Sequence, residues 1–186
     1  MDLPWGDEKT VQFITNVGLI TTEGPLGKNI MAAEMTHLIS YKPGMVAICI
    51  GPGKATVENI RATKEFGISL ASTDQSIISS ISGMNSGKTI DKMKALEELG
   101  FKFKKASKIK ALMVEGSVLG LECKLHKELI FGDHIMFIGE VIEASLTKDK
   151  NPLAYYKGIY SSLTPLEKPT EQKREQIKKI VEKHKK

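Results

Sequence analysis

The first clear pattern is a run of β-branched and apolar residues from Val11 to Thr22, closed by Glu23-Gly24-Pro25, which predicts a strand and a turn. A second extended stretch covers residues 28–41 and stops at Lys42-Pro43-Gly44. Met45 to Ile50 is continuously apolar, the pattern of a strand buried on both faces, and it leads through Gly51-Pro52-Gly53-Lys54-Ala55-Thr56 into a helix over 57–65. Residues 66–71 alternate as a strand. Residues 72–81 predict a short helix with Ile77, Ile78 and Ile81 inward. After a loop at 83–87, Thr89 is placed to cap a helix over 90–99, with Ile90, Met93, Leu96 and Leu99 on one face and Gly100 as its stop. Two long strands follow, over 111–125 and 134–146. Beyond Pro165 and Pro169, Thr170 opens a last helix whose thin apolar seam is Ile177, Ile180 and Val181. Strands outnumber helices, and neither βαβ alternation nor an internal repeat is present. The expectation is a mainly β domain with helical insertions, a closed or split barrel.

Composition narrows the class. The chain has 186 residues, 41% hydrophobic and 26% charged, which suits one folded domain. No apolar run is long enough to cross a membrane as a helix. The N-terminus has no basic region followed by an apolar core, and Cys49 and Cys123 each sit in a strand-like run, as reduced thiols do. The expected location is the cytoplasm.

The net charge of +5 invites a nucleic-acid reading, but it is concentrated in residues 168–186, which hold eight basic and three acidic side chains. The rest of the chain is neutral. Only Arg61 and Arg174 are arginine, so nucleic-acid binding is not the expectation. The four histidines show no metal spacing, and no nucleophile–base grouping is legible. No catalytic residue is assigned and no metal is expected. An enzyme of this composition would rely on a bound cofactor for its hard step.

The strongest local signal is the glycine loop between strand and helix. Gly51 and Gly53 let the backbone approach an anion, a helix start offers free N–H groups, and Lys54 and Thr56 add a charge and a hydroxyl. The spacing matches neither a P-loop nor a dinucleotide fingerprint. The same residues also suit an ordinary strand-to-helix turn with Thr56 as its N-cap. The second loop, Gly83 to Lys88, is polar, flexible and basic, and precedes a helix carrying Lys92.

Four passages in order resemble the flavin reductase-like, FMN-binding split-barrel family, in its flavoredoxin-like branch. They are Asn29-Ile30-Met31-Ala32-Ala33 leading to Ser40–Pro43; Met45 to Gly51 with Thr56; Ser86-Gly87 followed by Asp91-Lys92-Met93; and Gly132–His134 through Gly139–Val141. Leu153 to Tyr160 looks like the family's closing segment, and the likeness covers roughly residues 10–163. The resemblance implies a six-stranded split barrel, a homodimer and one FMN per protomer. It divides the chain into an FMN-binding domain over 1–167 and a basic C-terminal helix or tail over 168–186.

By the same resemblance, Asn29, Ile30, Met31 and Ala32 would lie along the flavin ring. Gly51, Gly53, Lys54 and Thr56 would hold the phosphate side, with Ser86, Gly87 and Lys92 reaching the same region, and Tyr160 would stand near the ring. Three places depart from the family pattern: Met35 replaces a common aromatic residue beside the flavin, Ala32 replaces a common threonine, and Pro43-Gly44 stands where Pro-Pro is usual. The implied activity is hydride transfer from NADH or NADPH to bound FMN, as in flavin or ferric-flavin reductases. The alternative is a non-enzymatic FMN electron carrier reduced by a redox protein partner.

Overall fold

A computed structural model describes residues 1–185. In chain order its elements are β1 (Thr15–Asn16), β2 (Gly18–Gly24), β3 (Gly27–Ala33), β4 (Thr36–Tyr41), β5 (Gly44–Ile50), α1 (Ala55–Thr63), β6 (Glu65–Leu70), α2 (Ser76–Met84) and α3 (Lys92–Glu98). These are followed by β7 (Phe103–Lys105), β8 (Leu112–Val114), β9 (Leu119–Phe131), β10 (His134–Leu146), β11 (Ala154–Tyr156), β12 (Ile159–Ser161) and α4 (Glu171–Lys183). No helix among the described residues is long and apolar enough to cross a membrane.

The main sheet is antiparallel, with strand order β3-β2-β6-β9-β10-β5-β4. Its two edge strands, β3 and β4, are consecutive in the chain and joined only by Glu34 and Met35. Laid flat, seven strands would separate those edges by about 29 Å. A two-residue link spans only about 11 Å between flanking Cα atoms. The sheet must therefore curl until its edges approach, yet no ladder joins them: the result is a split barrel, with seven strands in the curled sheet where six were expected. Asn16 reinforces the seam by donating from Nδ2 to the Thr36 carbonyl at 3.1 Å.

Two cores follow from this curl. Ile20, Ile48, Phe66, Ile68, Cys123 and Phe137 fill the barrel, with Val57 and Ile60 of α1 packed among them. The β9–β10 register shifts here between Ile138 and Gly139, where His126 of β9 is the extra residue; a side chain at 139 would collide with Phe66 and Cys123, so glycine is required. The burial that keeps Cys123 in this core pushes its thiol up to about 12. Leu19, Ile30, Ile78, Met93, Leu96 and Val114 form a second core outside the barrel, under α2 and α3. Strand β2 feeds both, Leu19 outward and Ile20 inward, and is buried on both faces for that reason.

Several boundaries differ from the sequence expectation. The 11–22 run divides into a short 3-10 turn, β1 and β2, and the 28–41 stretch breaks at Glu34-Met35. Lys54, not Thr56, is the N-cap of α1. The third helix begins two residues late because Asp91, not Thr89, caps it, accepting from Lys94 N–H at 3.0 Å. Ile90 and Leu99 are consequently exposed, while Met93 and Leu96 are buried. In α2 the inward face is Ile78, Ser79 and Ser82, and Ile77 faces solvent. Thr170 does cap α4, accepting from Lys173 N–H at 3.3 Å. No described residue of α4 is buried; Lys186, the end of the basic tail, lies outside the described residues.

A lysine-rich stretch, Lys102, Lys104, Lys105, Lys108 and Lys110, runs through β7 into a loop held by two buried carboxylates. Glu122 accepts from the Ser107 and Lys108 N–H groups, and Glu65 accepts from Lys110 N–H and pairs with Lys124 at 2.6 Å. Its lysine side chains face water because the loop is tied down through its backbone.

Candidate functional site

Edge strand β3, the start of α1 and the loop between α2 and α3 meet at one point. Asn29 on β3 is buried and donates from Nδ2 to Thr56 Oγ1 at 2.8 Å; Thr56 is fully buried one residue inside α1. Gly87 closes over this pair: a Cβ there would overlap Asn29 Oδ1 and touch Ala55. Lys88, next in the loop, forms an ion pair with Glu58 of α1 and fixes the loop against the helix.

Lys92 is the electrostatic centre of the site. Its side chain is buried, and its ammonium donates to the Ser82 carbonyl at 3.1 Å and the Asn85 carbonyl at 3.3 Å. Burial, and then the nearby Lys54 cation, pull it down from 10.5 to about 8. Neither lysine has a carboxylate partner among the described residues. Ser82 Oγ, also buried, has no hydrogen-bond partner there. One buried ammonium without a counter-ion, with the exposed Lys54 cation nearby and an unsatisfied buried hydroxyl on the helix it bonds, is a costly arrangement unless an anion completes it. The residues present therefore fit a phosphate group.

Other expected residues are placed less tightly. Lys54 folds back toward Gly51, and its N–H donates to the Gly51 carbonyl at 3.3 Å. Gly53 has open space around it, so its lack of a side chain leaves access from solvent. Ser86 is exposed and caps its own loop: its carbonyl accepts from Thr89 and Ile90, and its hydroxyl from Lys88 N–H. Along β3 the side chains alternate. Met31 packs toward the barrel core, Ile30 is wholly inside the outer core, and Ala32 faces α2. Ile30 can therefore offer a ligand only its backbone.

Ala32 and Tyr160 line one cleft of about 490 Å³, together with Trp5, Glu34, Gly83 and Tyr155. The rings of Tyr155 and Tyr160 lie 5.4 Å apart at 57°, and Ser80 Oγ donates to the Tyr160 hydroxyl at 3.3 Å. Met35 stands at the β3–β4 link, part exposed, with its carbonyl accepting from Cys49 N–H; it is not among the residues lining the cleft. A second cleft, of about 620 Å³, opens beside Gly87 between Lys28, Lys88, Met93 and Lys94. Sequence reasoning missed Ser82, Glu34 and Trp5. A serine on the inward face of α2 was the available signal for the first; nothing in the spacing pointed to the other two.

A family model for the flavin reductase like domain matches residues 10–164. The chain belongs to that family. The NADH-dependent FAD reductase of Streptomyces globisporus is 26% identical over 160 residues, 82% of this chain and 81% of that protein. An uncharacterized protein of Pyrococcus abyssi is 28% identical over 61% of this chain, and the match spans only 63% of that relative's length. Among solved structures, the NADH:FAD oxidoreductase of S. globisporus aligns with TM-score 0.76 at 22% identity, over 89% of this chain and 99% of its own. The flavoredoxin of Desulfovibrio vulgaris aligns with TM-score 0.75 at 21% identity, over 92% and 98%. At those identities the two structures establish the shared fold.

Proposed function

We propose that the chain is an NAD(P)H-dependent flavin reductase that holds one FMN along the edge of β3. The observation that carries this reading is the buried Lys92, without a carboxylate partner and with the exposed Lys54 cation nearby, in the same corner as the Asn29–Thr56 hydrogen bond. The phosphate of FMN would complete it, held by Lys92, Lys54 and the backbone of Gly87, with the buried Thr56 bracing Asn29 behind them. From Asn29 to Ala32 an extended strand advances about 10 Å, a distance suited to a five-carbon polyol joining phosphate to ring. The ring would then occupy the cleft between Ala32 and Tyr160. Bound FMN would supply the redox chemistry, accepting a hydride from a reduced nicotinamide and passing electrons onward. The chain's part is to bind, to align the two rings and to limit solvent around them.

The proposal extends to organisation. Residues 1–167 form the FMN-binding body and 168–186 an accessory basic tail, which is supported by the absence of buried side chains in α4. A homodimer is supported by edge strand β4, which leaves Leu38, Ile39 and Tyr41 exposed beside unpaired backbone groups.

The test is direct. Purified protein reconstituted with FMN should retain about one flavin per chain through gel filtration, and NADH or NADPH should bleach it under anaerobic conditions. Bleaching only by a reduced protein donor would overturn the enzyme reading in favour of an electron carrier. Failure to retain flavin would overturn both.

A further inference from the structure

Trp5 is the chain's one tryptophan and lies outside the residues matched by the family model. It nonetheless lines the cleft that Ala32 and Tyr160 share. Its indole orientation is fixed: Nε1–H donates to Glu34 Oε1 at 3.1 Å, and Glu34 directly follows the last residue of β3.

The backbone that carries Trp5 is fixed as well. The Pro4 carbonyl accepts from Thr10 Oγ1 at 2.8 Å and from Asp7 N–H at 3.1 Å. Farther along, the Val11 carbonyl accepts from Lys157 N–H at 3.1 Å, in the turn of the β11–β12 hairpin. That hairpin supplies Tyr155 and Tyr160 to the same cleft. The N-terminal segment is thus fastened to two of the elements that build the cleft.

Despite these ties Trp5 is 78% exposed. The segment spends hydrogen bonds on holding an indole in one orientation while most of its surface stays uncovered by the chain itself. A planar ring entering the cleft would cover it and gain the offset stacking that aromatic pairs prefer.

We propose that Trp5 is the outer wall of the ring site, stacking on the isoalloxazine that Ala32 and Tyr160 line from the strand and hairpin sides. The proposal rests on the flavin reading above. Glu34 acts through the indole and is a positioning residue. Trp5 touches the ring and not the phosphate, so its loss affects FMN and riboflavin alike, unlike the loss of Lys92.

The experiment titrates FMN and riboflavin into wild-type protein, Trp5→Ala, Trp5→Phe and Glu34→Ala, following flavin absorbance and flavin emission. Trp5→Ala should weaken both flavins several-fold to about tenfold, Trp5→Phe should restore most of the affinity, and Glu34→Ala should give a smaller loss of the same kind. Indole in contact with the ring quenches flavin emission, so the bound flavin should be brighter in both tryptophan variants. Circular dichroism checks that these surface variants remain folded. Unchanged affinity and emission in Trp5→Ala would overturn the proposal and leave the flavin reading intact. A loss confined to FMN would also overturn it, by placing Trp5 at the phosphate. Wild-type protein that takes up neither flavin overturns the flavin reading itself, and this inference with it.

Discussion

Asn29 and Thr56 are joined by a buried hydrogen bond, Nδ2 to Oγ1 at 2.8 Å, although 27 residues separate them and one sits on a sheet edge, the other in a helix. The bond uses two side chains that elsewhere would compete for backbone groups, and it leaves both sealed from water. It fixes the first turn of α1 against β3, and so fixes where an anion can sit relative to the strand.

Gly87→Ala tests how tightly this junction is closed. The new methyl would overlap Asn29 Oδ1 and press on Ala55, so the amide must move and the bond to Thr56 is lost or bent. The expected stability loss is about 1–3 kcal/mol, the usual range for overpacking. FMN affinity should fall with it. Urea unfolding and a flavin titration on the same preparation measure both.

Lys92→Met separates ligand binding from folding. The side chain is buried beside another cation, so a neutral chain of similar length should leave the stability of the flavin-free protein at pH 7 unchanged or raised. FMN should bind about ten- to a hundredfold more weakly, the loss of one charge-assisted contact, while riboflavin should scarcely respond. Equal losses for both flavins would place Lys92 away from the phosphate.

The pH dependence has a definite sign. In the flavin-free protein Lys92 titrates near 8, so FMN meets a cation below that pH and must bring a proton with it above. FMN affinity should therefore decline above pH 8, by up to about tenfold per unit. Riboflavin affinity should stay flat. Stability of the flavin-free protein moves the other way: the folded state holds fewer protons than the unfolded chain between pH 8 and 10.5, so this group makes folding more favourable as pH rises through that window. Isothermal titration in buffers of different ionisation enthalpy would count the proton taken up.

Removing residues 168–186 should leave FMN affinity and the unfolding midpoint nearly unchanged, since the described part of α4 buries no side chain. The remaining chain is neutral overall, and retention on heparin should vanish with the tail. Chromatography of the two forms at matched salt concentration decides it.

Much of this was legible in the chain. The buried run from Met45 to Ile50 is β5, Gly100 stops α3 at a φ of +89°, and Thr170 caps α4, because in each case a local rule and the tertiary structure agree. Asn29, Thr56, Gly87 and Lys92 were also nominated, on the family resemblance, and the fold brings them together. Periodicity failed where a cap moved. Asp91 outcompetes Thr89, and the two-residue shift turns Ile90 and Leu99 outward. It failed again where small polar residues were buried: Ser79 and Ser82 let α2 lie close to β3, a packing preference no hydrophobic pattern records. Trp5 was silent because its role depends on Glu34 and Lys157, residues far from it in sequence.

The order of strands also governs how the barrel can be assembled. The N-terminal strands form two unconnected ladders, β3-β2-β6 and β4-β5, and among the described residues the β9–β10 hairpin joins them, through pairs as distant as Met45 with Glu140. A nascent chain therefore carries two separate sheets, each with an open edge, until residue 146 has left the ribosome. Contacts of such long sequence separation form slowly. In that interval the hairpin of a neighbouring chain can fill the same gap by the same pairing, so crowded synthesis would favour hairpin-exchanged dimers over closed monomers.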